Sequence, residues 1–387
     1  MLIDITRPLV RRAAARLPTG IDRVCLAYVE QRAQTARAVV VRGRRSLVLQ
    51  PADSRAAFDW LLSPTQGKPL PPWRAMAGWV ARARPRADLA DEILLNPGHR
   101  GLEDAHYALG LRRAGVRPVF MVHDLIPITH PEYCRQGEDV RHRRRLRHAL
   151  TLGSGLIVNS RETLEVLQAH AGLEGLPTPP TVVAPLASSL PARPQASPRP
   201  LAAPYFVVLG TIEPRKNHLM LLHLWRGLVE QLGAAAPHLV VIGRRGWECQ
   251  ETLNLLDRCA ALKAHVHEQR HCTDADLSVW MAHAQALLFP SFCEGYGMPA
   301  IEALGCGTPV IASDLPVFRE SVGEIPEYVS PTDGERWRDL VLDYAAPTSA
   351  RRAAQCQRLR GFAPPDWQAH HAAVDSLLER LAPRRKA

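Results

Sequence analysis

The chain has 387 residues, 46% of them hydrophobic and 22% charged, with 48 Lys and Arg against 38 Asp and Glu for a formal net charge of +10. That composition excludes a disordered chain, a collagen-like repeat and a coiled coil, and the length predicts two domains, since a single core stops growing beyond about 250–300 residues. No apolar run approaches the roughly 18 residues of a membrane-spanning helix. The 8 cysteines are scattered singly with no CxxC pair, so the sequence predicts a soluble, cytoplasmic protein in a reducing compartment.

In chain order, the Arg-rich start MLIDITRPLVRRAAARL carries Asp4 and no apolar core, and so reads as a first strand and a basic loop rather than a targeting segment. Strands are predicted at 2–5, 38–41, 46–49, 93–96, 117–123, 156–159 and 181–184, with helical patterns between most of them. Continuous apolar runs such as PVFMV suit parallel strands covered on both faces, a Rossmann-like arrangement. Between Ser188 and Pro204 the chain is proline-rich and aperiodic, which predicts a linker over 191–204.

A second βα series follows, with strands at 205–210, 239–243, 265–268, 286–289 and 310–312. The domains are therefore placed at 1–190 and 205–364, followed over 365–387 by an amphipathic helix, expected to cross back to the first domain, and a basic tail. The expected fold class is α/β, two Rossmann-like domains facing a cleft, with function in the loops after the strands.

The positive charge is uneven. Residues 1–200 carry 29 Lys and Arg against 17 Asp and Glu, whereas 201–387 carry 19 against 21. Much of the excess lies in Arg141, Arg143, Arg144, Arg145 and Arg147, in a helix-compatible stretch that could meet phosphates. A nucleic-acid-binding protein is one reading of that stretch, but aromatic residues make up only 6% of the chain and do not interleave with it, so no nucleic-acid partner is expected.

The most informative loop is Pro290–Pro316. After a buried strand it holds Glu294, then Gly295 and Gly297, then Pro299 opening a helix that carries Glu302. The glycines allow close approach of the backbone to a ligand, and the helix start offers unpaired N–H groups to an anion. The glycines and proline break any continuous helix between the two glutamates, so Glu294 belongs to the loop and Glu302 to the first turn or two of the helix. In the first turn of the second series, Glu213-Pro214-Arg215-Lys216-Asn217 puts two cations before a helix, where a fork and a point charge would stabilise a leaving diphosphate. Next comes VVIGRRGW, where Gly243 and Gly246 bend the chain after a strand.

These motifs, in this order, resemble glycosyltransferase family 4, retaining enzymes of the GT-B fold, over nearly the whole second half. The resemblance extends more weakly to Thr19–Val24 and to the His123-Asp124-Leu125 stretch. It implies that Arg215 and Lys216 neutralise the donor diphosphate, that Glu294 lies near the transferred sugar, and that Glu302 holds the nucleotide ribose. It further implies that the backbone of Gly295, Tyr296, Gly297 and Met298 meets sugar and phosphate, that Gly20 lies in a loop closing over the diphosphate, and that His123 faces the sugar. Gly243 joins the donor-binding set.

No cofactor or metal is expected by that resemblance. Asp274-Ala275-Asp276 follows Thr273 at a helix start and reads as capping charge. Arg270-His271-Cys272-Thr273 departs from the Gly-containing loop commoner in the family. The implied reaction is retaining transfer of a hexose to a saccharide or polyprenyl-diphosphate-linked acceptor in polysaccharide assembly. The EPRKN and GRRGW segments are most similar to bacterial mannosyltransferases, which makes GDP-mannose the first choice of donor. A UDP-sugar-dependent transferase and a GT-B sugar-nucleotide epimerase stay open. A nicotinamide dehydrogenase is disfavoured because no strand is followed by GxGxxG with an acidic residue beyond it. The basic stretch 141–147 predicts peripheral docking on an anionic membrane surface.

Overall fold

In the computed structural model, the structure describes all residues except 43–44, 64–72, 84–88, 189, 191–196 and 383–387. Residues 191–196 of the expected linker and the basic end 383–387 thus lie outside the described residues. The chain divides into two units: Met1–Ile128, Gly137–Leu186 and Trp367–Ala387 form the first, and Thr129–Gln136 with Ala187–Asp366 form the second.

The first unit holds β1 (Leu2–Asp4), β2 (Arg37–Arg42), β3 (Arg45–Val48), β4 (Ile93–Asn96), β5 (Arg117–Val122), β6 (Gly155–Val158) and β7 (Thr181–Val183) in the order β3-β2-β1-β4-β5-β6-β7. All pairs are parallel except β2 with β3, which pair antiparallel at the sheet edge. Period-two alternation divides the core: Leu2 packs with Leu94, Phe120, Leu156 and Val158 on one face, while Ile3 and Ile5 pack with Ala38, Phe58 and Leu61 on the other. Burying both faces is what selected the continuous apolar runs read from the sequence.

The C-terminal helix Trp367–Leu381 belongs to this unit. Its His370 bonds the carbonyls of Ala184 and Pro185 at 3.1 and 3.0 Å through Nδ1 and the Tyr28 hydroxyl at 2.9 Å through Nε2. Arg32 pairs with Asp375 on the same helix. The helix lies close over β6, since a Cβ on Gly155 would lie 2.8 Å from Leu381 Cδ1.

The second unit holds β8 (Tyr205–Leu209), β9 (His238–Ile242), β10 (Val266–Gln269), β11 (Leu287–Phe289), β12 (Val310–Ser313) and β13 (Glu327–Val329), all parallel, in the order β10-β9-β8-β11-β12-β13. One strand, β13, was not anticipated: it has only three residues, two of them half-buried, which leaves too little apolar periodicity to read. In such sheets ligands bind outside the carboxyl ends of strands where the strand order reverses. The reversal lies between β1 and β4 in the first unit and between β8 and β11 in the second. Several strands stop one residue short of expectation, at Asp4, Val122, Leu209 and Ile242. The next residues, Ile5, His123, Gly210 and Gly243, already turn into the loops.

All eight cysteines are free thiols. Among the described residues no helix is long and apolar enough to cross a membrane.

Candidate active site

In the second unit the loops after β8 and β11, which flank the strand reversal, bring the predicted charges together. Arg215 and Lys216 sit in a 3-10 turn, Pro214–Lys216, that ends on Asn217 at φ +56°, after which the helix His218–Leu232 begins. Asn tolerates that left-handed conformation better than most side chains. Its amide donates to the Pro331 carbonyl at 2.9 Å, fixing the turn.

Glu294, its side chain 8% exposed, accepts from Ser291 Oγ at 2.8 Å, pairs with Arg215 Nη1 at 2.7 Å and contacts Lys216 Nζ. Arg215 Nε pairs with the buried Glu213 at 2.6 Å, and its Nη1 also donates to the Cys293 carbonyl at 3.2 Å. The backbone N–H of Phe292 donates to the Arg215 carbonyl at 2.8 Å. The two loops are thus stitched by side chain and main chain alike.

Burial alone would raise the Glu294 pKa, but the Arg215 and Lys216 charges outweigh it and bring it down to about 2. Burial lowers the Lys216 pKa, partly offset by the Glu294 carboxylate. The direction for Glu294 follows directly from two cations at contact distance. The quartet Glu213, Arg215, Lys216 and Glu294 has two charges of each sign.

Glycines shape the same region. A Cβ on Gly243 would lie 1.9 Å from the Gly210 carbonyl oxygen, so the ends of β8 and β9 approach backbone to backbone. Gly297, at φ +98°, caps the helix Met298–Gly305, and a Cβ there would meet the Phe318 ring at 2.8 Å. Pro299 sits at that helix start, Glu302 is buried within the helix, and Tyr296 is buried in the loop before it, next to Gly295. Four N–H groups at a helix start lack intrahelical acceptors, and the dipole there favours an anion.

Thr129–Gln136 is also part of this second unit, although its neighbours in sequence belong to the first. Tyr133 stacks on Phe292 with centroids 5.2 Å apart and planes at 6°. The Arg135 guanidinium lies 4.7 Å over the Trp247 ring, and Trp247 Nε1 donates to the Tyr133 carbonyl at 3.4 Å. Sequence reasoning missed this, and only the aromatic residue types hinted at it.

Outside the quartet, the second Arg of GRRGW is structural. Arg245 forks both Asp257, at 2.8 Å through Nη1, and Glu268, at 2.9 Å. Arg270 holds Glu268 at 2.8 Å, which ties the loop that departs from the family pattern to β10. Thr273 and Asp276 form a capping box at the start of the helix Asp274–His283, the role read for that acidic pair.

In the first unit, Gly20 opens the helix Gly20–Arg32 behind the N-cap Thr19, whose capping box uses Asp22; Arg7 holds Asp22 at 2.8 Å. Nothing lies within 4 Å of a Cβ built on Gly20, so the fold itself does not demand glycine there. His123, just past β5, is buried; its Nε2 lies 2.7 Å from the Pro97 carbonyl, and its own carbonyl accepts from Asn159 at 2.9 Å. Burial lowers its pKa, leaving the neutral imidazole. Its neighbours His99 and His142 were not singled out from the sequence, although His99 follows β4 as His123 follows β5.

The basic stretch forms the helix Glu138–Leu152, which buries His142, Leu146, Ala149 and Leu150. Arg141 pairs with Glu138 at 3.1 Å, Arg145 with Glu138 at 2.7 Å, and Arg147 with Glu174 at 2.9 Å. Arg143 lies 3.8 Å from Glu174. Much of the charge is thus matched locally.

Comparisons with known proteins bear on the fold and on the second half of the chain. The chain is 30% identical over 164 residues to O-antigen chain mannosyltransferase B of Escherichia coli, covering 42% of each protein. It is 30% identical over 265 residues to the serotype-specific mannosyltransferase WbdA of Escherichia coli, covering 62% of this chain and 32% of that one. The chain thus spans less than half the length of these curated relatives. Among solved structures, HepE of Anabaena, in complex with UDP-glucose, aligns with a TM-score of 0.65 at 15% identity over 98% of this chain and 99% of that one. Sucrose-phosphate synthase of Thermosynechococcus elongatus aligns at 0.60, 15% identical, over 98% of both. The chain therefore has the GT-B fold and is similar to bacterial mannosyltransferases, and its residues 191–333 match the family of glycosyl transferases group 1.

Proposed function

We propose that the protein is a retaining glycosyltransferase that moves mannose from GDP-mannose to a saccharide or polyprenyl-diphosphate-linked saccharide in polysaccharide assembly. The observation that carries this reading is the Arg215–Lys216–Glu294 cluster at the strand reversal, beside a glycine-capped helix start. The mannosyl choice rests on the 30% identity to O-antigen mannosyltransferases.

In the proposed reaction the bond from the anomeric carbon to the diphosphate oxygen breaks and a bond from that carbon to the acceptor oxygen forms on the same face. The acceptor proton passes to a phosphate oxygen of the leaving diphosphate. Arg215 and Lys216 offset the charge gained by the leaving group, and water exclusion strengthens that effect. Glu294 orients both cations and presents its carboxylate toward the hydroxyls of the transferred sugar, while Glu302 serves the ribose. The main chain of Gly295, Tyr296, Gly297 and Met298, with Gly243, borders the donor. In the first unit Gly20 approaches the diphosphate and His123 faces the sugar.

A thermal-shift panel of GDP, UDP, ADP and dTDP tests the donor, because a ligand at about 100 times its Kd stabilises by about 2.7 kcal/mol. GDP is expected to raise the melting temperature most. A rise with UDP alone moves the donor to a UDP-sugar, the second reading, which the UDP-glucose complex of the similar HepE fold supports. Peripheral docking of the helix Glu138–Leu152 on an anionic membrane belongs to the same proposal. It rests on the exposure of Arg141, Arg143, Arg144 and Arg147. Co-sedimentation with anionic vesicles that persists after those arginines are neutralised would remove it.

A further inference from the structure

The first unit carries a histidine cluster at the carboxyl end of its sheet. The His99 ring meets His123 edge to face at 5.8 Å and 78°, and His142 at 6.5 Å and 89°. The three histidines, Asp124 and Arg145 line a cavity of about 30 Å³ with apolar walls that include Met121. That is room for one water molecule or one hydroxyl group, as a water needs about 10–15 Å³ on this measure.

The hydrogen bonds around the cavity set its chemistry. A carbonyl oxygen can only accept, so His123 Nε2, at 2.7 Å from the Pro97 carbonyl, carries the proton. His123 is neutral, and its Nδ1 is therefore an acceptor. His142 Nε2 donates likewise to the Asp124 carbonyl at 3.0 Å. Asp124 Oδ1 accepts from the Ile126 N–H at 3.1 Å. Arg145 is committed to Glu138 at 2.7 Å.

His99 is built differently. Among the described residues neither of its ring nitrogens has a hydrogen-bond partner, and burial holds its pKa well below the ordinary value. Its backbone is left-handed, at φ +47°, which most L residues avoid. The loop is held in that shape from both sides. Asn96 accepts from the Gly98 N–H at 3.2 Å and donates to the Arg100 carbonyl at 3.2 Å, while His123 holds the Pro97 carbonyl. A half-buried imidazole whose nitrogens are not taken up by the protein, in a rare backbone conformation at a strand end, has the features of a binding group.

We propose that His99, with His123 and His142, forms a subsite that recognises a saccharide hydroxyl through imidazole nitrogens. The occupant is a hydroxyl of the transferred sugar or of the acceptor sugar. The assignment rests on the glycosyltransferase reading for its substrate class, and it adds His99 and His142 to the residues that bind substrate.

The test begins with the wild-type protein. Ring C–H signals of the histidines are followed by NMR while GDP-mannose, UDP-glucose or octyl α-mannoside is added. The His99 signal is expected to move with a sugar-bearing ligand and not with GDP or UDP alone, and no movement with any of the three overturns the proposal. Transfer to octyl α-mannoside is then measured for His99→Asn, which tolerates the left-handed backbone, and for His142→Gln. The expected result is a KM raised about tenfold for one substrate, the size of one lost neutral hydrogen bond, with kcat and melting temperature little changed. A raised donor KM assigns the hydroxyl to the transferred sugar, and a raised acceptor KM assigns it to the acceptor. Wild-type kinetics in both variants, or a lowered melting temperature with unchanged KM, overturns the subsite. A wild type that neither binds nor transfers any of these sugars sinks the glycosyltransferase reading itself, a result distinct from failure of the subsite alone.

Discussion

The second unit gathers charge at its strand reversal, and the first gathers imidazoles at the corresponding ends of its sheet. Glu213, Arg215, Lys216 and Glu294 share one contact network, whereas His99, His123 and His142 meet through ring edges around a small cavity. The contrast follows from what each would hold. A diphosphate needs fixed cations whose charge is worth most away from water, while a hydroxyl needs an acceptor that does not itself demand a counter-ion.

The largest effect that sharpens this contrast is expected from the charged unit. Lys216→Ala or Glu294→Ala should lower transfer by about 10²–10³-fold, the scale of losing a preorganised electrostatic group. His123→Ala should cost about tenfold, the scale of one neutral hydrogen bond. Equal losses at the two sites, measured as kcat/KM with one donor, would erase the distinction.

The glycines offer a comparison of stability. Gly243→Ala places a methyl where the Gly210 carbonyl stands and should lower stability severely, whereas Gly20→Ala meets open space and should leave stability within about 0.5 kcal/mol of wild type. If Gly20→Ala nevertheless raises the donor KM, the requirement at that position is for ligand approach rather than for folding. An unchanged KM would remove Gly20 from the site.

A smaller effect concerns acid. The folded pKa of Glu294 is held below its unfolded value, so its contribution to stability is fully present above about pH 4.5. It is lost as pH falls through about 2. Acid titration of unfolding should therefore show a limb between those values that Glu294→Gln flattens. A variant with an unchanged acid limb would show that the carboxylate is not held by its cations.

Much of this was legible in the sequence where one residue type had one physical reason. Strands buried on both faces appear as apolar runs, and Gly297 and Pro299 mark a helix start by backbone geometry alone. The EPRKN segment revealed its cations, but not that Glu213 would take up one side of Arg215, because that depends on which loop lies opposite. His99 was illegible for a related reason. A single loop histidine has no period, and its neighbours His123 and His142 stand 24 and 43 positions away. The segment Thr129–Gln136 gave no sign that it would group with the second unit, since no local pattern encodes a contact 114 residues distant.

That segment has a practical consequence for anyone dividing the protein. Neither unit is a contiguous stretch of chain: the first recovers Trp367–Leu381 from the far end, and the second borrows Thr129–Gln136 from within its neighbour's sequence. A fragment beginning at Ala187 would leave Phe292 without its stacking partner and Trp247 without its covering guanidinium, exposing aromatic surface two residues from Glu294. A fragment ending at Leu186 would strip the helix from Tyr28 and Gly155. Expression of either half by simple truncation is expected to give an aggregation-prone product, and a circular permutant is the better route to each unit alone.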